Sequence, residues 1–380
     1  MTDPKTAVAS ALNLAERRRL ALPGVERNLM GRHPVSPQNE LRSIIAELDR
    51  TDGGTGATAA NWDRYGEGGP VAELESQVAD LLGKPAAVMF PSGTMAQQST
   101  LRVWSDRQGG RRVAIPALSH LLHHEQDGPR LFNGFEWALL TTGAVVPTEV
   151  HLAAIPGPLC AVLLELPLRD AGYLLPSWEQ LEAFSRACRD RGVPLHLDGA
   201  RIWESAPHLG RSPGEIAALA DTVYVSLYKG LHGLAGAVVA GPEDVIAEVR
   251  LWRSRHGGTL WTMLPYAVSG LRGLRDELPR MAEYHERALV MAELLAAKGI
   301  RTFPARPHCN AFRMFVEASE PVVTERGVTV MERERLGVTS PWQDSQDVPG
   351  WSWTEFTVGP ATMGWTPDEA VDLLVRVLLG

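Results

Sequence analysis

The chain has 380 residues, of which 44% are hydrophobic and 22% charged, a composition typical of a folded globular protein rather than a disordered one. Its formal net charge of -8 and the lack of a lysine-rich tail argue against nucleic acid or an anionic membrane as a partner, so a small molecule is the expected ligand. Three widely spaced cysteines predict neither a disulfide framework nor a zinc site, and they fit a reducing cytoplasm.

The sequence favours neither export nor a membrane-spanning segment. The first ten residues, MTDPKTAVAS, lack the basic start and apolar core of a secretory signal. The most apolar later stretch, 152–168, is interrupted by three prolines. We therefore expect a cytoplasmic protein.

Residues 1–50 are predicted to form an N-terminal arm. The arm is helical at first, carries an arginine run in LNLAERRRLALPG, and then contains prolines. We interpret the basic helix as a solvated face, with packing on a partner subunit as the alternative. The stretch TDGGTGATAA, 51–60, predicts a loop that separates the arm from the main body.

Strand and helix patterns alternate from residue 71 to about 250. The predicted helices are VAELESQVADLLGK, PSGTMAQQSTLRVWS and SWEQLEAFSRACRDRG, and the predicted strands are AAVMF, RRVAIP, LCAVLLEL, PLHLDG and TVYVSL. This alternation predicts a large α/β domain, 51–250, with a mainly parallel sheet buried on both faces. Ligands of such sheets bind at the carboxyl ends of the strands.

The pattern changes in the remaining residues, 251–380. AEYHERALVMAELLAAKG predicts a long amphipathic helix and NAFRMFV predicts a strand. TPDEAVDLLVRVLL predicts a closing helix with Thr366 as its cap. We expect a smaller α+β domain here.

The segment FPSGTMAQQ predicts an anion site. A strand ends at Phe90, and Ser92, Gly93 and Thr94 then open a helix. Free backbone N–H groups and two hydroxyls at a helix start suit a phosphate. Simple capping of the helix by Ser92 is the alternative.

Asp198, in VPLHLDGARIW, lies at the carboxyl end of an apolar strand. A buried carboxylate there is expected to face a cation. The small residues Gly199 and Ala200 allow a flat ligand to approach the backbone, and Arg201 has a planar fork that suits a carboxylate. The alternative is an Asp198–Arg201 pair that only braces the strand end.

Lys229 lies 31 residues after Asp198, where the next apolar strand runs into glycines (YVSLYKGLHG). A desolvated lysine near other cations has a lowered pKa and captures aldehydes as imines. A lysine that extends from the strand end into water is the alternative.

These three signals together match the needs of pyridoxal 5'-phosphate. The turn at 92–94 would hold the phosphate, Asp198 would pair with the pyridine nitrogen, and Lys229 would form the imine. Ser226 and Arg201 complete the predicted cofactor contacts.

The chain also resembles a known family. The segments HLDGARIW, LYKGLHGLAGAVVAG and RYGEGGPVAELESQVADLLGKPAAVMFPSGTMAQQ are similar to the threonine aldolase and β-eliminating lyase family, over roughly residues 28–378. The resemblance implies the fold type I architecture of pyridoxal phosphate enzymes, which is aspartate aminotransferase-like. It also implies a homodimer or a dimer of dimers.

The resemblance assigns further roles. His120, in LSHLLHHEQDG, matches the histidine that stacks on the pyridine ring, and Glu125 matches an acidic position of that segment. Tyr65 and Gly66 match a pair near the active site that is commonly reached from a neighbouring subunit. Arg201 matches the arginine that holds the substrate carboxylate.

Two family features differ here. The histidine that usually follows the strand AVLLEL is missing, and ELPLRDAGYLLP offers Arg169 and Asp170 instead. A second carboxylate-binding arginine falls at or near Glu355, which leaves Arg32 as a replacement. The predicted substrate contacts are thus Arg201, Tyr65, Arg32 and Arg169.

Two histidines next to His120 are expected to play no direct part. His123 and His124 are interpreted as polar surface residues or subunit contacts. No matching carboxylate spacing accompanies them, so no metal site is predicted.

The expected function follows from the cofactor and the resemblance. We expect a lyase that cleaves the Cα–Cβ bond of a β-hydroxy-α-amino acid to glycine and an aldehyde, or runs the reverse aldol reaction, with Lys229, His120 and Asp198 as catalytic residues. The alternatives are β-elimination or other Cα–H chemistry on a non-standard amino acid, and a ligand-binding relative without catalysis.

Overall fold

A computed structural model describes residues 13–51 and 62–380 of the chain. Residues 52–60 of the predicted loop at 51–60 lie outside the described residues. The chain divides into two compact units: Pro37–Ala282, and the described residues up to Ser36 together with Glu283–Gly380. These boundaries differ from the predicted ones, because the helices at 37–51 and 264–276 belong to the larger unit.

The helices and strands are numbered in chain order. The helices are α1 Leu14–Ala21, α2 Pro37–Thr51, α3 Gly69–Leu82, α4 Gly93–Gln108, α5 His120–His123, α6 Gly128–Asn133, α7 Glu149–Ala153, α8 Trp178–Asp190, α9 Ile202–Leu209, α10 Pro213–Ala217, α11 Glu243–Arg255, α12 Leu264–Asp276, α13 Met281–Ala297, α14 Glu320–Glu334, α15 Pro360–Met363 and α16 Pro367–Leu379. The strands are β1 Arg27–Asn28, β2 Ala86–Phe90, β3 Arg112–Ile115, β4 Glu136–Leu139, β5 Ala161–Glu165, β6 Leu195–Asp198, β7 Thr222–Ser226, β8 Ala237–Gly241, β9 Arg301–Phe303, β10 Ala311–Val316, β11 Leu336–Gly337, β12 Gln343–Asp344 and β13 Ser352–Thr357.

The larger unit is built on a seven-stranded sheet in the order β2-β8-β7-β6-β5-β3-β4. Strand β8 is antiparallel to both of its neighbours, and the other adjacent pairs are parallel. Every residue of β5, β6, β7 and β8 is buried, as expected for strands covered by helices on both faces. The predicted α/β class with a mainly parallel sheet is confirmed.

The register of this sheet aligns three polar residues at its carboxyl edge. Glu165 at the end of β5 lies opposite Asp198 at the end of β6, and Asp198 lies opposite Tyr224 on β7. Because these strands are parallel, the loops that follow them emerge at the same edge. That edge is the place where a ligand of an α/β sheet binds.

Local sequence signals explain where the helices begin and end. Ser177 and Gln180 form a reciprocal capping box at the start of α8, and Thr366 and Glu369 form another at the start of α16. The predicted Thr366 cap is therefore present. Helix α4 ends at Gly109, whose φ of 67° is the left-handed conformation that glycine adopts without strain.

The smaller unit contains a four-stranded antiparallel sheet in the order β12-β13-β10-β9. Helix α1 joins this unit rather than standing free in solvent. Arg17 on α1 pairs with Glu332 at 2.7 Å and with Glu325 at 2.5 Å, both on α14. The prediction of a solvated basic face is wrong for Arg17, because two carboxylates of the same chain neutralise it.

Two strands of the large sheet were missing from the predicted elements. β4 has the sequence EWAL and β8 has AVVAG. EWAL is only four residues long and contains no β-branched residue, and AVVAG has two valines between small residues directly after a glycine-rich loop, so in both segments the strand signal is weak. Among the described helices, none combines the length and apolar character needed to cross a membrane.

Candidate active site

Five loops that follow the carboxyl ends of β2, β3, β5, β6 and β7 carry most of the predicted site. Asp198 ends β6, His120 begins the helix after β3, and Lys229 follows β7 by three residues. Asp198 and Lys229 lie close enough for each charge to act on the pKa of the other. The two residues on which the cofactor prediction depends are therefore neighbours.

The turn after β2 is shaped around Tyr224. The Ser92 hydroxyl accepts the backbone N–H of Met95 at 3.3 Å and so caps α4. Gly93 is buried, and a Cβ atom there would overlap the Tyr224 hydroxyl. Thr94 is exposed. Capping by Ser92 is thus real, and it satisfies one of the N–H groups at the start of this sixteen-residue helix, which have no partner within a helix.

Asp198 is 3% exposed, and its Oδ1 accepts the backbone N–H of Ala200 at 3.1 Å. Burial raises the pKa of this carboxyl, while the positive charges of Lys229 and His120 act in the opposite direction. A buried carboxylate with nearby cations is suited to hold a protonated ring nitrogen.

Lys229 has a pKa lowered to about 8. Burial is the largest cause and the charge of Arg201 the second, while the carboxylates of Asp198, Glu165 and Glu204 oppose them. A lysine amine with this pKa is partly neutral near pH 7.5 and can attack a carbonyl carbon. The structure does not place Lys229 as a freely extended surface lysine.

His120 is anchored through its backbone and its ring. Its backbone N–H donates to Glu165 Oε2 at 2.8 Å, and its Nδ1 lies 3.7 Å from Glu125 Oε1. Glu125 in turn accepts the side-chain amide of Gln98 at 3.3 Å, and the amide of Asn133 donates to Gln98 at 3.1 Å. A chain of buried polar side chains therefore ends on the ring of His120.

Arg201 lies at the start of α9 with its guanidinium 5.4 Å from the ring centre of Tyr173. One turn further, Glu204 is 1% exposed, and a Cβ atom on Gly230 would overlap its carboxylate. Burial raises the pKa of Glu204, and the charges of Arg201 and Lys229 lower it. The positive side of the site is thus built from Lys229 and Arg201 together.

The other predicted contacts are distributed more widely. Ser226 is buried at the end of β7. Tyr65 is 54% exposed, and its ring meets that of Trp261 edge-on with centroids 5.0 Å apart. The backbone N–H of Arg169 donates to Glu165 Oε1 at 3.2 Å.

Two predicted positions belong to the smaller unit. Arg32 is in the segment before Ser36, where its carbonyl accepts the side-chain amide of Asn28 at 2.7 Å. Glu355, on β13, lies directly across from Arg313 on β10. Strand β13, which carries Glu355 where the family arginine was expected, therefore has Arg313 opposite it on β10.

Glu165 is a site residue that the sequence reasoning missed. It is 6% exposed, and its two oxygens accept the backbone N–H groups of His120 and Arg169. Burial and the adjacent Asp198 raise its pKa to about 7. The signal was available: Glu165 ends an apolar strand as Asp198 does, in AVLLE and LHLD.

The residues fit pyridoxal phosphate and show no alternative metal centre. Gly93 lies so close to Tyr224 that a side chain at this position of the predicted phosphate turn would overlap it, and the buried Ser119 hydroxyl beside His120 has no hydrogen-bond partner among the described residues. Within residues 13–51 and 62–380, no group of three His, Cys, Asp or Glu side chains could hold a metal ion.

The profile of the beta-eliminating lyase family matches residues 55–319. The chain belongs to this family. Its membership confirms the predicted family, the fold type I architecture, the pyridoxal phosphate cofactor and the enzyme class of the chain.

Relatives of this family member include a low specificity L-threonine aldolase of Escherichia coli K12, which is 28% identical over 73% of this chain and 84% of its own. A low-specificity L-threonine aldolase of Arabidopsis thaliana is 28% identical over 67% of this chain and 74% of its own.

Solved structures give the same result. A proposed L-allo-threonine aldolase from Listeria monocytogenes EGD-E is 35% identical, with a TM-score of 0.87 over 96% of this chain and 99% of that chain. A proposed aromatic amino acid beta-eliminating lyase or threonine aldolase from Exiguobacterium has the same identity, TM-score and coverage. Aspartate aminotransferase of Thermus thermophilus, 18% identical with a TM-score of 0.59, shares the fold alone.

Proposed function

We propose that this lyase cleaves the Cα–Cβ bond of β-hydroxy-α-amino acids to glycine and an aldehyde, and that it also runs the reverse reaction. The observation that carries the proposal is the placement of Lys229 and Asp198, each acting on the pKa of the other at adjacent strand ends. The threonine aldolase names of several relatives support the substrate class.

Bound pyridoxal phosphate supplies an electron-withdrawing ring that stabilises negative charge at the substrate Cα. In this proposal Lys229 would hold the cofactor through its carbonyl carbon, and its pKa of about 8 would keep part of the amine population neutral. Asp198 keeps the ring nitrogen protonated, because the low-polarity surroundings strengthen its pairing with a cation. The free N–H groups after Ser92 bind the phosphate.

Arg201 would hold the substrate carboxylate, since a guanidinium binds a carboxylate with two parallel hydrogen bonds. Its position over Tyr173 limits the directions in which the fork can point. His120 would cover one face of the cofactor ring, and Ser226 would contribute to cofactor binding. Tyr65, Arg32 and Arg169 remain proposed substrate contacts.

We also propose that the enzyme works in the cytoplasm as a homodimer or a dimer of dimers. The exposed pair of Tyr65 and Trp261 supports an assembly, because Trp261 is 56% exposed and large aromatic side chains are usually covered. Equilibrium sedimentation of the holoenzyme measures this directly.

A second candidate is β-elimination, which breaks the bond from Cβ to a leaving group after removal of the Cα proton. The name of the Exiguobacterium relative and the missing histidine in ELPLRDAGYLLP favour it. Both reactions use the same cofactor and the same Lys229.

Product identification separates the two. We expect purified holoenzyme to release glycine and an aldehyde from threonine, allo-threonine or phenylserine. Release of ammonia and a keto acid without glycine would support elimination. Screening both β-hydroxy and other β-substituted amino acids also defines the preferred side chain.

Lys229→Ala should abolish the covalent link to the cofactor and lower turnover by about 10³-fold or more, the scale seen when a covalent catalyst is removed. The readouts are the visible absorbance of the cofactor and the mass added after borohydride reduction. Lys298→Ala is the matched control, because Lys298 is exposed and pairs only loosely with Asp372 at 3.4 Å. Borohydride labelling that persists in Lys229→Ala would contradict the assignment.

A further inference from the structure

Cleavage of a β-hydroxy-α-amino acid requires a group that removes the proton of the β-hydroxyl. Within the loop after β5, at 166–176, the side chains that carry charge are Arg169 and Asp170, and no histidine is present. A side chain from another element at the carboxyl edge of the sheet, or a water held there, would supply this base. Such a base is needed only under the proposed aldolase function.

His124 meets this requirement through its contacts. It directly follows α5, and its Nε2 lies 2.7 Å from Oδ2 of Asp170 in the loop after β5. Strands β3 and β5 are parallel neighbours in the sheet, so both loops emerge at the edge that carries Asp198. The loop after β5, which has no histidine of its own, thus supplies Asp170 as the partner of His124 from the loop after β3.

The pair also lies beside the predicted cofactor site. The ring centre of His124 is 4.9 Å from that of His120, and the two planes are inclined by 39°. The side chain of His124 is 40% exposed and that of Asp170 is 22% exposed, so a ligand can reach the histidine while the carboxylate behind it is more covered. The guanidinium of Arg169 lies 3.6 Å from Oδ1 of Asp170, the carboxylate oxygen that does not bond to His124.

The hydrogen bond to Asp170 fixes which nitrogen of His124 can act. A carboxylate only accepts, so Nε2 carries the proton that it donates to Asp170, and Nδ1 keeps its lone pair. This is the arrangement by which a carboxylate orients a general-base histidine. His123 differs: its Nε2 meets the backbone carbonyl of Ala117 at 2.7 Å, with no carboxylate behind it.

We propose that His124 is the catalytic base of the cleavage and that Asp170 is its positioning residue. Nδ1 of His124 takes the proton of the β-hydroxyl, the O–H electron pair becomes the second bond of the aldehyde carbonyl, and the Cα–Cβ bond breaks. Its electron pair stays on Cα, which gains one proton to give glycine. One proton is taken from oxygen and one is added to carbon, so no oxidant or reductant is needed.

The test compares cleavage with a reaction that has no hydroxyl. Holoenzymes carrying His124→Asn, Asp170→Asn and the control His123→Asn are assayed for phenylserine cleavage and for exchange of the glycine Cα proton with deuterium. Exchange uses the same cofactor and Lys229 but needs no base at Cβ. Cofactor absorbance verifies that each variant is loaded.

We expect His124→Asn to lower kcat for cleavage by about 10²- to 10⁴-fold, the range for loss of a general base, with glycine exchange changed by less than about threefold. Asp170→Asn should lower kcat by about tenfold or more with little change in KM, because it leaves the base present but misoriented. His123→Asn should match the wild type in both assays.

Three results would overturn the inference. Cleavage by His124→Asn at wild-type rates removes the base role. Equal losses of cleavage and glycine exchange assign His124 a general structural or cofactor role instead. A wild-type enzyme that yields no glycine from any β-hydroxy amino acid overturns the aldolase function, and this inference with it, whereas a wild type that cleaves normally limits the failure to His124.

Discussion

The orientation of single residues in this site depends on contacts with side chains that are distant in the sequence. The ring of His120 is held by Glu125, and Glu125 is held by Gln98 on α4, which is itself bonded to Asn133 on α6. The two amides have no contact with His120 themselves in this chain of bonds, and they act on its ring through Glu125. Buried polar chains of this kind are rigid when every member has its partner.

Gln98→Met tests the buried polar chain. It keeps the side-chain length but removes the hydrogen bonds of Gln98 to Glu125 and Asn133, so the free energy of unfolding should fall by about 1–3 kcal/mol. Urea unfolding of the apoenzyme measures it. Gln77→Met is the matched control, because Gln77 is exposed on α3 and bonded to Glu73 at 3.1 Å, and its change should stay below about 0.5 kcal/mol. Equal losses in the two variants would contradict the importance of the buried chain.

Gly93→Ala tests the close approach at the phosphate turn. The added methyl group overlaps the Tyr224 hydroxyl, so the turn must shift, and the affinity for pyridoxal phosphate should fall by about tenfold or more, which is about 1.4 kcal/mol. Titration of apoenzyme by absorbance gives the Kd. The double variant Gly93→Ala, Tyr224→Phe should recover part of the loss, while Gly24→Ala, with open space around it, should have no effect.

At the level of elements, the starts of α4 and α8 share a serine cap, and phosphate binding is proposed for the start of α4 alone. Ser92 and Ser177 each cap a helix by accepting the backbone N–H of the third helical residue, at 3.3 Å in both cases. Only α4 begins at the carboxyl edge of the sheet beside Tyr224. A comparison of the two caps therefore separates helix capping from phosphate binding.

Ser92→Ala and Ser177→Ala should each lower the free energy of unfolding of the apoenzyme by about 1 kcal/mol, the usual value of an N-cap. Ser92→Ala should also weaken pyridoxal phosphate binding, and Ser177→Ala should not. Chemical denaturation and cofactor titration on the same preparations provide both numbers. An unchanged cofactor Kd in Ser92→Ala would show that its hydroxyl serves as a cap alone.

At the scale of the whole molecule, the interior of the larger unit holds a neutral histidine. His196 on β6 is fully buried between Gln97 at 2.6 Å and Thr222 at 2.9 Å, and burial lowers its pKa to about 3. In the unfolded chain the pKa of histidine is about 6.5, so unfolding takes up a proton below that pH. The folded state therefore loses stability as the pH falls from 6.5 toward 3.

His196→Gln tests this pH dependence. The contribution of His196 to the free energy of unfolding should decline by about 1 kcal/mol per pH unit below pH 6.5. The variant should be less stable than the wild type at pH 7 but should lose less between pH 6.5 and 5. Glu165, whose pKa of about 7 gives the opposite trend, is present in both proteins and cancels in the difference. Parallel slopes would contradict the prediction.

Local chemistry explains what could be predicted of the site and what could not. Asp198 and Lys229 were identifiable because each is a charged residue at the end of an apolar strand or within three positions after it. Glu165 carried the same signal and was passed over. Glu204, Tyr224 and the His124–Asp170 pair carry no such signal, because their significance arises from contacts between elements.

Short segments of the sequence carry the class of fold and the cofactor, because apolar periodicity and strand-end polar residues are local properties, and the similarity of three such segments to known enzymes carries the family. The tertiary structure alone decided which carboxylates surround Lys229, that α1 packs on α14 through Arg17, and that His124 meets Asp170. The contact of α1 with α14 comes from the packing of two helices that are far apart in the sequence, whereas strand order and register set the distances within the site. They are fixed only when the parallel strands pair and their loops emerge at one edge.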